Sequence, residues 1–139
     1  MIQNIQNTEG KLMLLSLNFS SDVPIYMQIR NQIVVAISTG TLEPGERLPT
    51  IRNLALETGI NTMTVNKAYQ LLKQEGYITT DRRNGAMVNG TFHDTKTLSQ
   101  KSMDYLKVVI SEARLTGISE EEFNHICHIM YSEGNMNDG

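Results

Sequence analysis

The side chains of this chain best suited to gripping a polyanion are a polar run at helical spacing and a pair of arginines at a loop tip. Thr62, Thr64, Asn66, Lys67 and Gln70 alternate with Val65, Ala68, Tyr69 and Leu72. The apolar four recur at i, i+3, i+4 and i+7, so one stripe of a helix is buried and the hydroxyl, amide and ammonium groups face outward. Arg82 and Arg83 lie in Asp81-Arg82-Arg83-Asn84-Gly85, between two strand-like runs, Tyr77 to Thr80 and Ala86 to Val88. Such a turn between apolar runs predicts a β-hairpin carrying its arginines at the tip.

Charge follows the same division. The whole chain of 139 residues has a formal net charge of −3. Residues 47–83 carry six basic side chains (Arg47, Arg52, Lys67, Lys73, Arg82, Arg83) against three acidic ones, a local excess of +3, while the flanks on both sides are acidic. A basic face on an acidic body favours docking on phosphates in one orientation and limits non-specific adhesion.

Several elements must position these groups. Residues 1–10 read as a flexible polar tail. Lys11 to Phe19 reads as a strand with Met13, Leu15, Leu17 and Phe19 on one face, its natural partner being the later hairpin. Ser21 or Asp22 is placed to cap a helix starting near Pro24, in which Tyr26, Ile29, Ile33 and Ile37 form the buried stripe and Gly40 the stop. Thr50 caps a second helix that buries Ile51, Leu54 and Ala55 and ends at Gly59; Asn61 caps the third, which Gly76 ends. Two helices joined by a tight turn, with a hairpin after them, make a winged helix-turn-helix.

Beyond a linker, a fourth helix from about Thr95 aligns Leu98, Met103, Leu106, Ile110 and Ala113 and stops at Gly117. Ser119 to Glu122 is a capping box, with Ile118 stapling onto Phe123, and the fifth helix buries Phe123, Ile126, Cys127 and Met130. The expected fold is mostly α with a small β-hairpin or sheet. Its parts are a flexible tail over 1–10, a winged domain over 11–90, a two-helix dimerisation segment over 91–134 and a flexible tail over 135–139.

Pro24-Ile25-Tyr26 with Gln28-Ile29, then Gly40 through Ala55, then Asn61 with Thr64-Val65-Asn66-Lys67-Ala68-Tyr69 and Leu72, resemble the GntR family of bacterial transcription regulators. The short tail, with Glu112-Ala113-Arg114, Gly117 and the Ser119 box, is similar to the YtrA branch. That branch has two dimerising helices in place of a large effector domain. The resemblance implies that Arg47, Thr50 and Arg52 meet DNA, Arg52 close to a base; a guanidinium fork suits both phosphate and guanine. Thr62, Met63, Thr64, Asn66 and Lys67 stand at the end of the third helix that enters a major groove first, where Asn66 suits adenine and Met63 a thymine methyl. The family wing often reads basic, glycine, threonine, aromatic. Here Asn84-Gly85-Ala86-Met87 keeps the close backbone approach of the glycine and loses the hydroxyl, for which Arg82 and Arg83 compensate. Arg82, Arg83, Asn84 and Gly85 are therefore expected to meet DNA, the arginines in the minor groove.

Other chemistry finds less support. His125 and His128 lie one turn apart but Cys127 points elsewhere, so no metal is expected and Cys127 reads as a small core residue. Neither a phosphate-cradling glycine loop nor a nucleophile with its base is present, so neither an enzyme nor a cofactor is expected. No apolar run approaches 18 residues, and one cysteine fits a reducing compartment, so the cytoplasm is expected and a membrane is not. The expected function is a homodimeric, sequence-specific repressor reading an inverted repeat in double-stranded DNA, its dimer formed by Leu98, Met103, Leu106, Ile110, Ala113, Phe123, Ile126 and Met130. The alternative is a winged-helix adaptor that binds a protein. The residues specify no small-molecule effector.

Overall fold

The computed structural model describes residues 2–6, 12–92 and 94–134, and side chains from Leu15 onward. The expected tail over 135–139 and the side chain of Met13 lie outside the described residues. The order is β1 (Ile2–Gln6), β2 (Leu12–Ser16), α1 (Ile25–Ser38), α2 (Ile51–Thr58), α3 (Thr62–Gln74), β3 (Ile78–Asp81), β4 (Gly85–Val88), α4 (Gln100–Leu115) and α5 (Glu120–Gly134). The fold is mostly helical, with two small antiparallel sheets. The chain divides into two compact units, the first ending at Phe92.

In the first unit Leu15, Leu17, Ile29, Ile33, Leu48, Leu54, Val65, Leu72, Ile78 and Val88 are almost fully buried in one cluster. Burying each such side chain stabilises the fold by about 1.5–3 kcal/mol, so the cluster fixes how α1, α2 and α3 pack. Thr50 caps α2, its side chain accepting from the Asn53 N–H at 3.1 Å, and Asn61 caps α3 by accepting from the Met63 N–H at 2.7 Å. Gly59 closes α2 with φ of 72°, the left-handed region where a Cβ is strained. Arg30 of α1 forms an ion pair with Glu75 just past α3 and lies 5.6 Å from the Tyr77 ring centroid. That hydrogen-bonded carboxylate raises the Arg30 pKa further.

In the first unit the structure corrects four expectations at the edges of elements. Within the segment read as a flexible tail, Ile2–Gln6 forms β1, and β2 pairs with it and not with the later hairpin. Pairing runs through backbone groups, so a polar, non-periodic sequence gave no sign of it. Phe19 leaves the apolar face because β2 stops at Ser16; it lies in the following turn, 61% exposed. α1 has Pro24 at its N-cap with no side-chain cap, since Ser21 Oγ accepts from the nearby Val23 N–H.

The end of β2 and the chain just past it are held by two glutamines of α1. Gln32 bonds both the N–H and the carbonyl of Ser16, at 2.7 and 2.6 Å. The buried Gln28 accepts from the Asn18 N–H at 2.8 Å and donates to the Asn18 and Val23 carbonyls at 2.9 and 2.8 Å. One helical turn separates the two amides, two residues separate their targets, and each amide acts as a strand partner would.

The second unit is a helix pair. α4 begins at Gln100 and not near Thr95: Ser99 caps it, accepting from the Ser102 N–H at 3.1 Å, and Lys96 has a positive φ of 53° that no helix tolerates. Leu98 thus precedes the helix. At the other end Gly117 turns with φ of 86°, and the Ile118 N–H bonds the Ala113 carbonyl at 2.9 Å. The Ser119 box closes reciprocally, Ser119 N–H to Glu122 Oε2 at 2.8 Å and Glu122 N–H to Ser119 Oγ at 3.1 Å.

Candidate nucleic-acid interface

The wing is built on three backbone segments, because residues 45–48 run beside β4. Gly45 N–H bonds the Val88 carbonyl at 2.9 Å, Val88 N–H bonds the Glu46 carbonyl at 2.8 Å, and Leu48 N–H bonds the Ala86 carbonyl at 2.8 Å. Arg47 thereby sits opposite Met87. The sequence treats residues 42–49 as a connection; in space they are part of the wing, and they bring Arg47 beside the hairpin tip.

At that tip Asp81 Oδ1 accepts from the backbone N–H of Arg83, at 2.8 Å, and of Asn84, while Asn84 Nδ2 donates to Asp81 Oδ2 at 3.1 Å. Arg47 donates from its guanidinium to Asn84 Oδ1 at 2.9 Å. The backbone and side-chain bonds from Asn84 hold the Asp81 carboxyl below its ordinary pKa, with the Arg47 charge adding to the effect. The carboxylate stays ionised wherever the protein is folded at ordinary pH.

Between the wing and α3 lies an open concavity of about 500 Å³, lined by Arg47, Thr50, Gln70, Arg82, Arg83, Asn84 and Gly85 among others. Its floor is fixed by Tyr69, whose hydroxyl donates to the Pro49 carbonyl at 2.7 Å. This concave basic surface, with an exposed helix face on one side and a hairpin on the other, has the shape to straddle a nucleic-acid backbone.

The residues singled out from sequence fall at different places on it. Met63, 77% exposed, stands with Asn66, Lys67 and Gln70 in the middle of the outward face of α3. Thr62 is exposed on the first turn, whereas Thr64 is half-buried on the flank of the helix. Arg52 is exposed on the first turn of α2. Lys67 Nζ lies 4.1 Å from the Tyr26 ring centroid, so a ring counted as core also orients this ammonium. Gln70 lines the concavity beside the wing arginines; it was not among the residues expected to meet DNA, although its spacing from Asn66 and Lys67 puts it on their helical face.

The family model for bacterial regulatory proteins of the gntR family matches residues 25–88. The YtrA transcriptional repressor of Bacillus subtilis is 34% identical over 106 residues, covering 75% of this chain and 82% of that protein. The chain belongs to the GntR family. A solved structure described as YtrA from Sulfolobus acidocaldarius, a GntR-family transcription factor, superposes with a TM-score of 0.56 at 37% identity, covering 73% of this chain and 97% of that one. A Listeria monocytogenes structure described as a transcriptional antiterminator gives a TM-score of 0.71 at 31% identity, covering 81% of this chain and 86% of that one. The expected winged fold and the similarity to YtrA proteins are both met. The chain is a DNA-binding transcriptional regulator of this family, whose members are regulators and not enzymes.

In the second unit Leu106, Ile110, Phe123 and Cys127 line a groove of about 550 Å³ between α4 and α5, with Arg114 and Glu120 also on its wall. Met103, Leu106, Ile110, Ile126 and Met130 are exposed, Phe123 is half-buried, and Ala113 is buried within the pair. Ala113 lies on the wall of that groove, next to the turn that its carbonyl closes with the Ile118 N–H. His125 and His128 are exposed and Cys127 is half-buried. Among the described residues no cluster of metal-ligating side chains occurs, and no helix is long and apolar enough to cross a membrane.

Proposed function

We propose that the chain is a homodimeric repressor that reads an inverted-repeat operator in double-stranded DNA in the cytoplasm. The observation that carries the reading is the meeting of Arg47, Arg82, Arg83 and Gln70 on one concavity between α3 and the wing. In this reading the α3 face bearing Met63, Asn66, Lys67 and Gln70 enters the major groove, with Thr62 and Thr64 at its leading end. Arg52 reaches a base from α2, while Thr50, Arg47 and the wing, through Arg82, Arg83, Asn84 and the close approach of Gly85, meet phosphate and the adjoining minor groove. Repression is favoured by the similarity to the YtrA repressor of Bacillus subtilis.

A twofold partner is supported by the second unit, where Ala113 is the one buried apolar residue among the described side chains. Met103, Leu106, Val109, Ile110, Ile126 and Met130 are left open on α4 and α5. Apolar surface of this extent on a helix pair is characteristic of an interface, and a second copy can bury the same patch reciprocally. The winged domain then occupies roughly 11–90 together with β1 ahead of it, and the dimerising helices roughly 91–134.

Selection of bound sequences from a random duplex pool tests the whole reading, because it returns the operator and its symmetry together. The expected product is an inverted repeat, bound with an affinity that falls steeply with salt as counterions are released. Arg52→Ala should weaken binding by about 1–3 kcal/mol and relax one base position. A pool that yields no consensus, with salt-insensitive binding, turns the reading toward the protein-binding adaptor.

A further inference from the structure

A carboxylate stands among the basic side chains of the proposed DNA surface. Asp81 lines the concavity beside Arg47, Arg82 and Arg83, where its charge by itself opposes the approach of phosphate. Its oxygens are engaged in an ordered arrangement. One takes the backbone N–H groups of Arg83 and Asn84, the other takes the Asn84 side-chain amide, and that amide's oxygen holds the Arg47 guanidinium. Arg47 is tied at its backbone to Met87 of the same hairpin. The contacts close a ring that runs from the turn backbone through carboxylate, amide and guanidinium to the strand beside β4.

We propose that Asp81 is a positioning residue for DNA binding: through Asn84 it holds Arg47 and the arginine-bearing turn in the arrangement that meets phosphate. The proposal rests on the reading of this face as the DNA interface. Asn84 then serves as a connector, since both ends of its amide are committed within the wing. Without the carboxylate the turn loses the acceptor for two N–H groups, Asn84 rotates freely, and the long side chain of Arg47 regains freedom that binding must remove again. Charge and ordering thus push affinity in opposite directions. Removing a carboxylate that is merely solvated strengthens DNA binding, by about two- to threefold for one charge; removing one that positions arginines weakens it.

The experiment uses the full chain and a duplex recovered by selection on the wild type, at fixed salt. It compares Asp81→Ala, Asp81→Asn, Arg47→Ala and the Asp81→Ala/Arg47→Ala pair, each with its melting temperature. Both Asp81 variants lack the charge, so the difference between them reads hydrogen bonding alone. Asp81→Ala is expected to bind about five- to tenfold more weakly at an unchanged melting temperature. Asp81→Asn, which keeps one oxygen for the turn, recovers part of the loss, and in the Arg47→Ala background most of the Asp81 effect disappears. Equal or tighter binding by Asp81→Ala overturns the proposal, and so does an equal loss in both backgrounds or a loss that accompanies a fall in melting temperature. Absence of salt-dependent binding by the wild type is a different result and sinks the reading of the interface itself.

Discussion

Replacing Tyr69 by phenylalanine removes the hydroxyl that ties α3 to the start of α2, and the structure sets both the size and the pH dependence of the effect. Tyr69 is 2% exposed and donates to the Pro49 carbonyl at 2.7 Å, one residue before the Thr50 cap. Phenylalanine keeps the ring in the core but leaves a carbonyl beside the fully buried Pro49 ring without its donor, at a cost of about 1–2 kcal/mol at neutral pH. Burial also pushes the Tyr69 phenol well above its ordinary pKa. A folded pKa above the unfolded one gives a contribution that is complete below about pH 10 and is lost as pH rises toward the folded value, because only the unfolded chain ionises in that window. Relative to the variant, the wild type should lose about 1.4 kcal/mol per pH unit beyond pH 10. A neutral-pH gap of about 1.5 kcal/mol therefore closes near pH 11. Urea unfolding of both proteins at one protomer concentration, stepped from neutral to alkaline pH, measures the gap directly. A gap that stays constant across that range would refute the reasoning, since other alkaline titrations are common to both proteins and cancel.

Two further outcomes probe other parts of the chain. Gln28→Leu strips partners from the Asn18 N–H and from the Asn18 and Val23 carbonyls, and should cost about 2–4 kcal/mol by thermal or urea unfolding; a loss below about 0.5 kcal/mol contradicts the bonding described. Ile110→Glu places a charge on the exposed apolar face of α4 and should shift the chain from dimer to monomer in analytical ultracentrifugation; an unchanged sedimentation coefficient places the interface elsewhere.

Much of the interface scaffold was legible because its signals are local. Thr50, Asn61 and Gly59 announce their caps and turn through single side chains acting on the nearest backbone, and the α3 stripe repeats every turn. Thr64 was less well placed: position along the first turn is a matter of counting, but lying on the half-buried flank depends on which neighbours pack there. Asn84 was expected to meet DNA from its place in the family wing, but the link from Asp81 through Asn84 to Arg47 left no sign in the sequence, because Arg47 is 37 residues from Asn84.

By itself the sequence determined the helices α1 to α5, the caps of α2, α3 and α5, the charge division, and a family resemblance in motif spacing that the matched family model supports. These depend on interactions within one or two turns of chain, or on residue identity alone. Only the tertiary structure decided that residues 45–48 join the wing, that β1 pairs with β2, that two glutamines of α1 hold the end of β2 and the chain past it, and that an aspartate is linked through Asn84 to Arg47 on the arginine-lined concavity. Each of these is a contact between groups far apart in sequence. Backbone pairing and amide bonding carry almost no residue signature, so their partners become visible when the chain is closed on its core.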